Sequence, residues 1–304
     1  MSKIFEHSVR SPIASWEVID VPNATDSSRK TAALQVLEPD EFELARAIDD
    51  VFRGWAVAAG ASERRYAPLI SVTELQRFDY FDNFPHLGLA VAKLNADNVA
   101  QLTAAAARPL QSLPPSELQP PTYLLPSAAC YAVYLHAENT QQPIEGSLHT
   151  LSCTCFRNES AYEGLARLLG FTMREIVFIG GNEQSKQHLD TFTARVVELI
   201  NTLNIPMEIE IATDPFFDKS GSRAKMQQLF PVKREFIIDD IAVGSVNYHR
   251  NFFGERCGIT LADGQLAHTS CVAFGIERWV HVLTRHFGGA AEATQELRRC
   301  APLT

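Results

Sequence analysis

An α+β domain built on a mostly antiparallel sheet is the fold class the sequence predicts. Three observations carry that expectation. The chain has 304 residues, 46% of them apolar and 21% charged, which suits one large core. Stretches of strand-like alternation outnumber stretches of helical period, and they follow one another as hairpins. A doubly wound parallel sheet would instead alternate strand and helix one for one.

The elements follow in order. Residues 1–30 show no periodicity, and their Ser, Pro and Asn content reads as an irregular lead-in. From Pro39 the apolar residues Phe42, Ala45, Ile48, Phe52 and Trp55 recur at helical steps behind Asp40, Glu41 and Glu43, and Gly60 ends the helix. This divides the chain into an N-terminal lead-in and helix over 1–60 and a larger domain over 61–304. Beyond Pro68 the chain reads as short strands and turns, then as a linker rich in proline, with Pro109, Pro114, Pro115, Pro120, Pro121 and Pro126. "SLHTLSCTCFRNE" from Ser147 and "GFTMREIVFIG" form a hairpin with a long connection. A helix from Glu183 to about Leu203 carries Leu189, Phe192, Val196, Leu199 and Leu203 on one face. "PMEIEIA", "REFIIDDIAVG" and "GITLADGQLAHTSCVAF" supply further strands, and "GIERWVHVLTRHF" is a helix entered through Gly275.

Charge excludes some partners. With 27 Lys and Arg against 36 Asp and Glu, the net charge of −9 gives no overall attraction to nucleic acid or to an anionic membrane. No stretch reaches 18 uninterrupted apolar residues and no secretory signal opens the chain, so a cytoplasmic protein is expected. The six cysteines then read as reduced thiols or metal ligands, and without a CxxC pair their spacing predicts no zinc ribbon. The common phosphate-loop, dinucleotide, zinc-protease and serine-hydrolase signatures are absent.

Chemistry concentrates in the hairpin. Arg157, Asn158 and Glu159 follow Phe156, and Arg167, Phe171 and Glu175 are spaced by even steps, which on a strand places them on one face. Guanidinium groups bind phosphate oxygens in pairs and an aromatic ring stacks a purine, so the set suits a nucleoside triphosphate. Taken alone, it suits an exposed hairpin with ordinary ion pairs equally well. Glu277 and Arg278 open a helix directly after a strand and Gly275, where an arginine can reach a bound anion.

Together these motifs resemble the class II aminoacyl-tRNA synthetases over roughly residues 60 to 290. "CFRNE" with Arg167 and Phe171 resembles their motif 2, "FGIERW" their motif 3, and Pro85 in "YFDNFPHLG" the motif 1 proline of the dimer interface. "YLLPSAACYAVYLHAEN" and "SVNYHRNFFGERCGI" narrow the likeness to seryl-tRNA synthetase cores. The resemblance implies an antiparallel sheet flanked by helices, a homodimer, and adenylation of an amino acid with ATP and Mg. Arg157 would hold the α-phosphate and the reacting carboxylate, with Glu159 near the adenine or the substrate. Arg167 would bind the γ-phosphate, and Phe171 and Arg278 would cover the two faces of the adenine.

Two departures stand out. Ser127, Ala128 and Ala129 replace a loop that in bacterial seryl enzymes carries a carboxylate for the amino acid, and Ala242 replaces a Mg-binding Glu, although Ser245 remains. The first departure has a replacement: Cys130, Glu175 and Cys271 resemble the Cys/Glu/Cys zinc site of methanogen-type seryl-tRNA synthetases. A zinc held by three ligands keeps one position for the substrate's amine. Cys153 and Cys155 read as core or back-face residues, and Cys257 and Cys300 have no evident partner.

Seryl enzymes grip tRNA with a long helical arm ahead of motif 1. Here one helix and no heptad pair precede Pro85, so no tRNA partner is expected. The resemblance then points to the amino acid:carrier-protein ligases, which transfer glycine or alanine to the phosphopantetheine thiol of a small acidic carrier. Serine stays open beside glycine and alanine. Arg223, Lys225 and Lys233, in a basic stretch between Asp218 and Glu235, form the expected landing surface for the carrier, although a solvated loop accounts for them too. Two alternatives remain: a tRNA ligase using a separate RNA-binding module, and a non-catalytic amino-acid or nucleotide sensor. The latter would be expected to lose Arg157 or Arg278, and both are present.

Overall fold

The computed structural model of the protein describes residues 33–105, 112–218 and 220–301. The lead-in over 1–30 therefore lies outside the described residues, as do Pro109 and the side chain of Arg223.

Helix α1 spans Pro39–Ala58. Pro39 opens it, the Glu41 carboxylate accepts the Glu38 N–H at 2.9 Å, and Gly60 at φ +87° turns the chain away after its end. The strands of the main sheet are β1 (Ser62–Glu63), β2 (Ser147–Phe156), β3 (Gly170–Gly180), β4 (Glu208–Ala212), β5 (Lys233–Ile238), β6 (Ile241–Arg250) and β7 (His268–Gly275). They lie in the order β1-β2-β3-β7-β6-β5-β4, and every pairing except the parallel β1–β2 contact is antiparallel.

One face of the sheet is covered by α1 and by three further helices, α2 (Asn182–Leu203), α3 (Ile276–Phe287) and α4 (Ala290–Cys300). Phe52 of α1 stacks on Phe274 of β7 at 3.8 Å, and Trp279 of α3 meets Phe52 edge-on. The helix of the N-terminal segment thus shares its core with strands beyond residue 61. Its buried stripe includes Ala45, Ile48 and Phe52 as expected, but Phe42 is 56% exposed. Arg174 crosses to this helical face. Its guanidinium pairs with both carboxylate oxygens of Asp49 at 2.7 Å and with Glu63 at 3.1 Å, which ties α1 and β1 to the hairpin.

The stretch expected to be a linker is structured where it is described. Tyr123–Leu124 is the central strand of a small sheet between Ile70–Ser71 and Ala90–Val91. Pro85 is exposed and opens a short 3-10 turn whose Leu87 lines the site described below. Among the described residues, no helix is long and apolar enough to cross a membrane.

Candidate active site

The other face of the sheet carries the functional groups. On β3 the alternation exposes Phe171, Met173 and Glu175 to this side, and on β7 it exposes Cys271 and Ala273. A bulge in β6 between Ala242 and Gly244 shifts its register against β5, so Ala242 and Ser245, three apart, both line the site while Val243 and Val246 are buried beneath the helices. A Cβ at Gly244 would stand 2.7 Å from the Ala273 carbonyl oxygen, so only glycine admits this approach of β6 to β7.

Two adjoining cavities result. The larger, about 500 Å³, reaches down to Cys130, Glu175, His249 and Cys271. The smaller, a cleft of about 80 Å³, is bounded by Glu159, Phe171, Glu235, Ala242 and Arg278. Arg157, Met173, Lys233, Ser245 and Ala273 border both.

In the larger cavity, Cys130 caps a short helix, Tyr131–His136. The preceding residue anchors a carboxylate: Ala129 N–H donates to Glu175 Oε1 at 3.0 Å. Glu175 is 1% exposed, and its Oε2 is buried without a hydrogen-bond partner of ordinary geometry. Burial pushes the Glu175 carboxyl up, against the Cys271 thiol, the Ala129 amide and Cys130, which favour the ionised form. The Cys271 thiol, burial and the Glu175 charge together push Cys130 well above the ordinary thiol value. For Cys271 the hydrogen bond with Cys130 acts downward, but burial and Glu175 outweigh it and its thiol is raised. Asn247 Nδ2–H donates to Ser245 Oγ at 3.0 Å and reaches Cys271 Sγ at 3.4 Å. Among the described residues, single donor atoms of Cys130, His249 and Cys271 lie within 4.8 Å of one another. Two thiols and an imidazole are a donor set that fits zinc, whereas Glu175, expected as the third donor with Cys130 and Cys271, stands outside this group.

In the cleft, the Arg157 Nε–H donates to the Ser127 carbonyl at 3.1 Å and its guanidinium lies 5.2 Å from the centre of the Phe171 ring. Arg278 bridges the walls, with Nε–H donating to Ala166 O and Nη1–H to Ala242 O, both at 2.8 Å. Its neighbour Glu277 is 8% exposed and accepts the Thr172 N–H with its two oxygens at 2.9 and 2.8 Å, fixing the start of α3 against β3.

Several expectations change. Arg167 is not on the strand with Phe171 and Glu175: β3 begins at Gly170, and Arg167 sits in the connection, pairing with Glu159 at 3.4 Å. Lys233 is no surface lysine. Its side chain is 13% exposed, with Nζ 2.9 Å from Glu235 and 3.6 Å from Asp214, because the alternation of β5 turns it toward the cavities. Cys155 is fully buried in a core cluster with Cys153 packed against it, as expected, but this core lies on the site-side face rather than the back. Lys225 is exposed as expected, on the short helix Ser222–Leu229. His249, Asn247 and Glu235 went unrecognised in the sequence. Counting by twos along β6 from Ser245 reaches the first two, and Glu235 is the register partner of Ser245.

No family model matches the sequence. Among solved structures, the M. kandleri seryl-tRNA synthetase bound to A. aeolicus tRNASec superposes with a TM-score of 0.69 at 16% identity, covering 90% of this chain and 63% of that one. This establishes the class II aminoacyl-tRNA synthetase fold. The type-2 serine–tRNA ligase of Methanocaldococcus jannaschii is 27% identical over 54% of this chain and 34% of its own length. Amino acid–[acyl-carrier-protein] ligase 1 of Bradyrhizobium diazoefficiens is 33% identical over 234 residues, 72% of this chain and 70% of the relative. At that identity and coverage, on this fold, the chain belongs to the amino acid–[acyl-carrier-protein] ligase family.

Proposed function

We propose that this ATP-dependent ligase activates glycine or alanine as an aminoacyl-adenylate and passes it to the phosphopantetheine thiol of an acidic carrier protein. The observation that carries the reading is the junction of the two cavities at Arg157. An amino acid in the larger cavity and a nucleotide in the cleft would meet there, with one guanidinium in reach of both the carboxylate and the α-phosphate.

Cys130, Glu175 and Cys271 are the residues that would hold zinc, which when bound supplies a Lewis-acid position for the amine. Ala128 lines the larger cavity without a side-chain polar group, which supports glycine or alanine over a larger polar substrate. Phe171 lines the cleft, and Glu235 and Ser245 are the oxygen donors suited to the Mg of Mg-ATP in place of the carboxylate that Ala242 lacks. The carboxylate oxygen attacks the α-phosphorus and pyrophosphate leaves. Arg157 and Arg278 offset charge developing on the phosphates and align the reactants. The carrier thiol then attacks the acyl carbon and AMP departs.

The test is pyrophosphate exchange dependent on glycine, alanine or serine, followed by labelled transfer to a holo carrier and to tRNA. Arg157→Ala should lower exchange by about 30- to 1,000-fold, equivalent to about 2–4 kcal/mol of transition-state stabilisation. Full exchange in that variant would remove Arg157 from the chemistry, and efficient charging of tRNA without transfer to the carrier would replace the carrier reading.

A further inference from the structure

Lys233 has no part in the chemistry described so far, yet it is held as a substrate-binding cation would be. Among the described residues, it and Arg157 are the only lysine and arginine side chains that border both cavities. Its side chain is 13% exposed, with Nζ 2.9 Å from Glu235 Oε1 and 3.6 Å from Asp214 Oδ1. Asp214 is itself fixed, since its Oδ2 accepts the Gln227 Nε2–H at 2.7 Å and its N–H donates to Gln227 Oε1 at 2.8 Å. A lysine that serves only for docking stands in solvent, whereas taking an ammonium out of water costs free energy that close partners must offset. The ammonium has three N–H groups and two carboxylate neighbours, which leaves a donor for a third anion.

Strand register places this donor. Lys233 pairs with Asn247 of β6, and Asn247 with Cys271 of β7, so the three form one row across the site-side face. Glu235, Ser245 and Ala273 form the next row. Lys233 therefore stands at the larger cavity's side of the junction, two strands, or roughly 10 Å, from Cys271. Arg157 follows the end of β2, across β3, β7 and β6 from Lys233. A carboxylate at the junction would lie between two cations that enter from opposite sides.

We propose that Lys233 is a further catalytic residue of the activation step: its ammonium donates to the α-carboxylate of the amino acid and, opposite Arg157, aims the attacking oxygen at the α-phosphorus. This rests on the activation reading given above. Lys233 keeps its proton throughout. The carboxylate oxygen forms the new bond to phosphorus, and pyrophosphate leaves with the electron pair of the bond that breaks.

Pyrophosphate exchange with glycine or alanine, inhibited by the matching amino alcohol (2-aminoethanol or 2-aminopropanol), isolates this contact. The alcohol keeps the amine and lacks the carboxylate. Lys233→Met should raise the amino-acid KM by about 10- to 100-fold and leave the inhibition constant of the alcohol within about two-fold of wild type. Lys233→Gln should raise the KM likewise and guards against a folding defect in the methionine variant. Losing the cation also uncovers two carboxylates that would repel the substrate's, so Lys233→Met is repeated together with Asp214→Asn and Glu235→Gln. A KM that stays raised in the combined variant supports the direct contact, and a return to the wild-type KM overturns it. An unchanged KM in Lys233→Met, or an equal rise for amino acid and alcohol, also overturns the inference and leaves the activation reading standing. A wild-type chain that exchanges pyrophosphate with no amino acid overturns both.

Discussion

At the Cys130–Cys271 end of the site the polar groups already meet one another, whereas at the other end Arg157 and Arg278 are bonded to backbone carbonyls of their own protein. The thiols and His249 come from the cap of the Tyr131–His136 helix and two strands, and their donor atoms already lie within 4.8 Å of one another, with Glu175 held beside them by Ala129 N–H. Arg157 and Arg278 instead donate to the carbonyls of Ser127, Ala166 and Ala242 across a cleft of about 80 Å³. Sites for small molecules run from about 300 to 1,000 Å³, so a nucleotide bound here as proposed would have to displace these bonds. The difference teaches that the thiol end is preorganised, while the arginine end, if it takes the nucleotide as proposed, would be assembled by its ligand. Trading a neutral carbonyl for an anionic phosphate oxygen roughly doubles the strength of a guanidinium hydrogen bond, which favours the opening.

The most damaging change should be Cys271→Ser, which strikes the preorganised end. Metal and amino-acid activation are expected to disappear together, checked by elemental analysis beside pyrophosphate exchange. A metal-free preparation that stays fully active would break the comparison at its root. Arg278→Lys strikes the other end more gently, keeping the charge and losing the fork that spans Ala166 and Ala242. Exchange should fall by about 10- to 100-fold, roughly 1.4–2.7 kcal/mol, with one zinc per chain retained. Zinc lost along with exchange would mean that the two ends are not independent. Glu235→Gln tests the cleft in a third way, since it removes the charge opposite Ser245. The expected signature is a higher Mg requirement for exchange, several-fold at most, with amino-acid affinity unchanged.

Much of the molecule could be read from the sequence because its signals are local. The stripe of Leu189, Phe192, Val196, Leu199 and Leu203 is a property of one helix, and all five residues are buried. Gly275 before Ile276 marked the start of α3 for the same reason. Arg167 escaped because strand periodicity says nothing of where a strand begins, and here the connection runs to Leu169 before β3 starts. Lys233 escaped because a run of basic residues gives no direction for each side chain, while alternation along β5 turns this one inward to Glu235. His249 follows Ser245 by simple alternation, but that this face meets Cys271 needed the register of β6 beside β7, a relation between segments some twenty residues apart in the chain. The bulge at Ala242 depends on a different pairing, that of β6 with β5, and could not be placed by counting along a single strand.

The smallest effect is expected outside both cavities, where the carrier would dock. The helix Ser222–Leu229 places Met226, Gln227 and the following Phe230 on the wall of the larger cavity, while Lys225 is exposed and Leu229 is 71% exposed. A partner held on the outside of this helix would stand at the cavity's rim, near the acyl group it is to receive. Lys233 is committed to Glu235 and Asp214, which leaves Arg223 and Lys225 as the charges to test. Reversing both to Glu should weaken transfer to an acidic holo carrier by about 3- to 10-fold, through the association rate, and leave pyrophosphate exchange at the wild-type level. The effect should shrink as salt rises, since the Debye length falls from about 10 Å at 0.1 M to about 3 Å at 1 M. A loss of exchange equal to the loss of transfer would place these residues in the activation step, and transfer indifferent to both charge and salt would move the docking surface elsewhere.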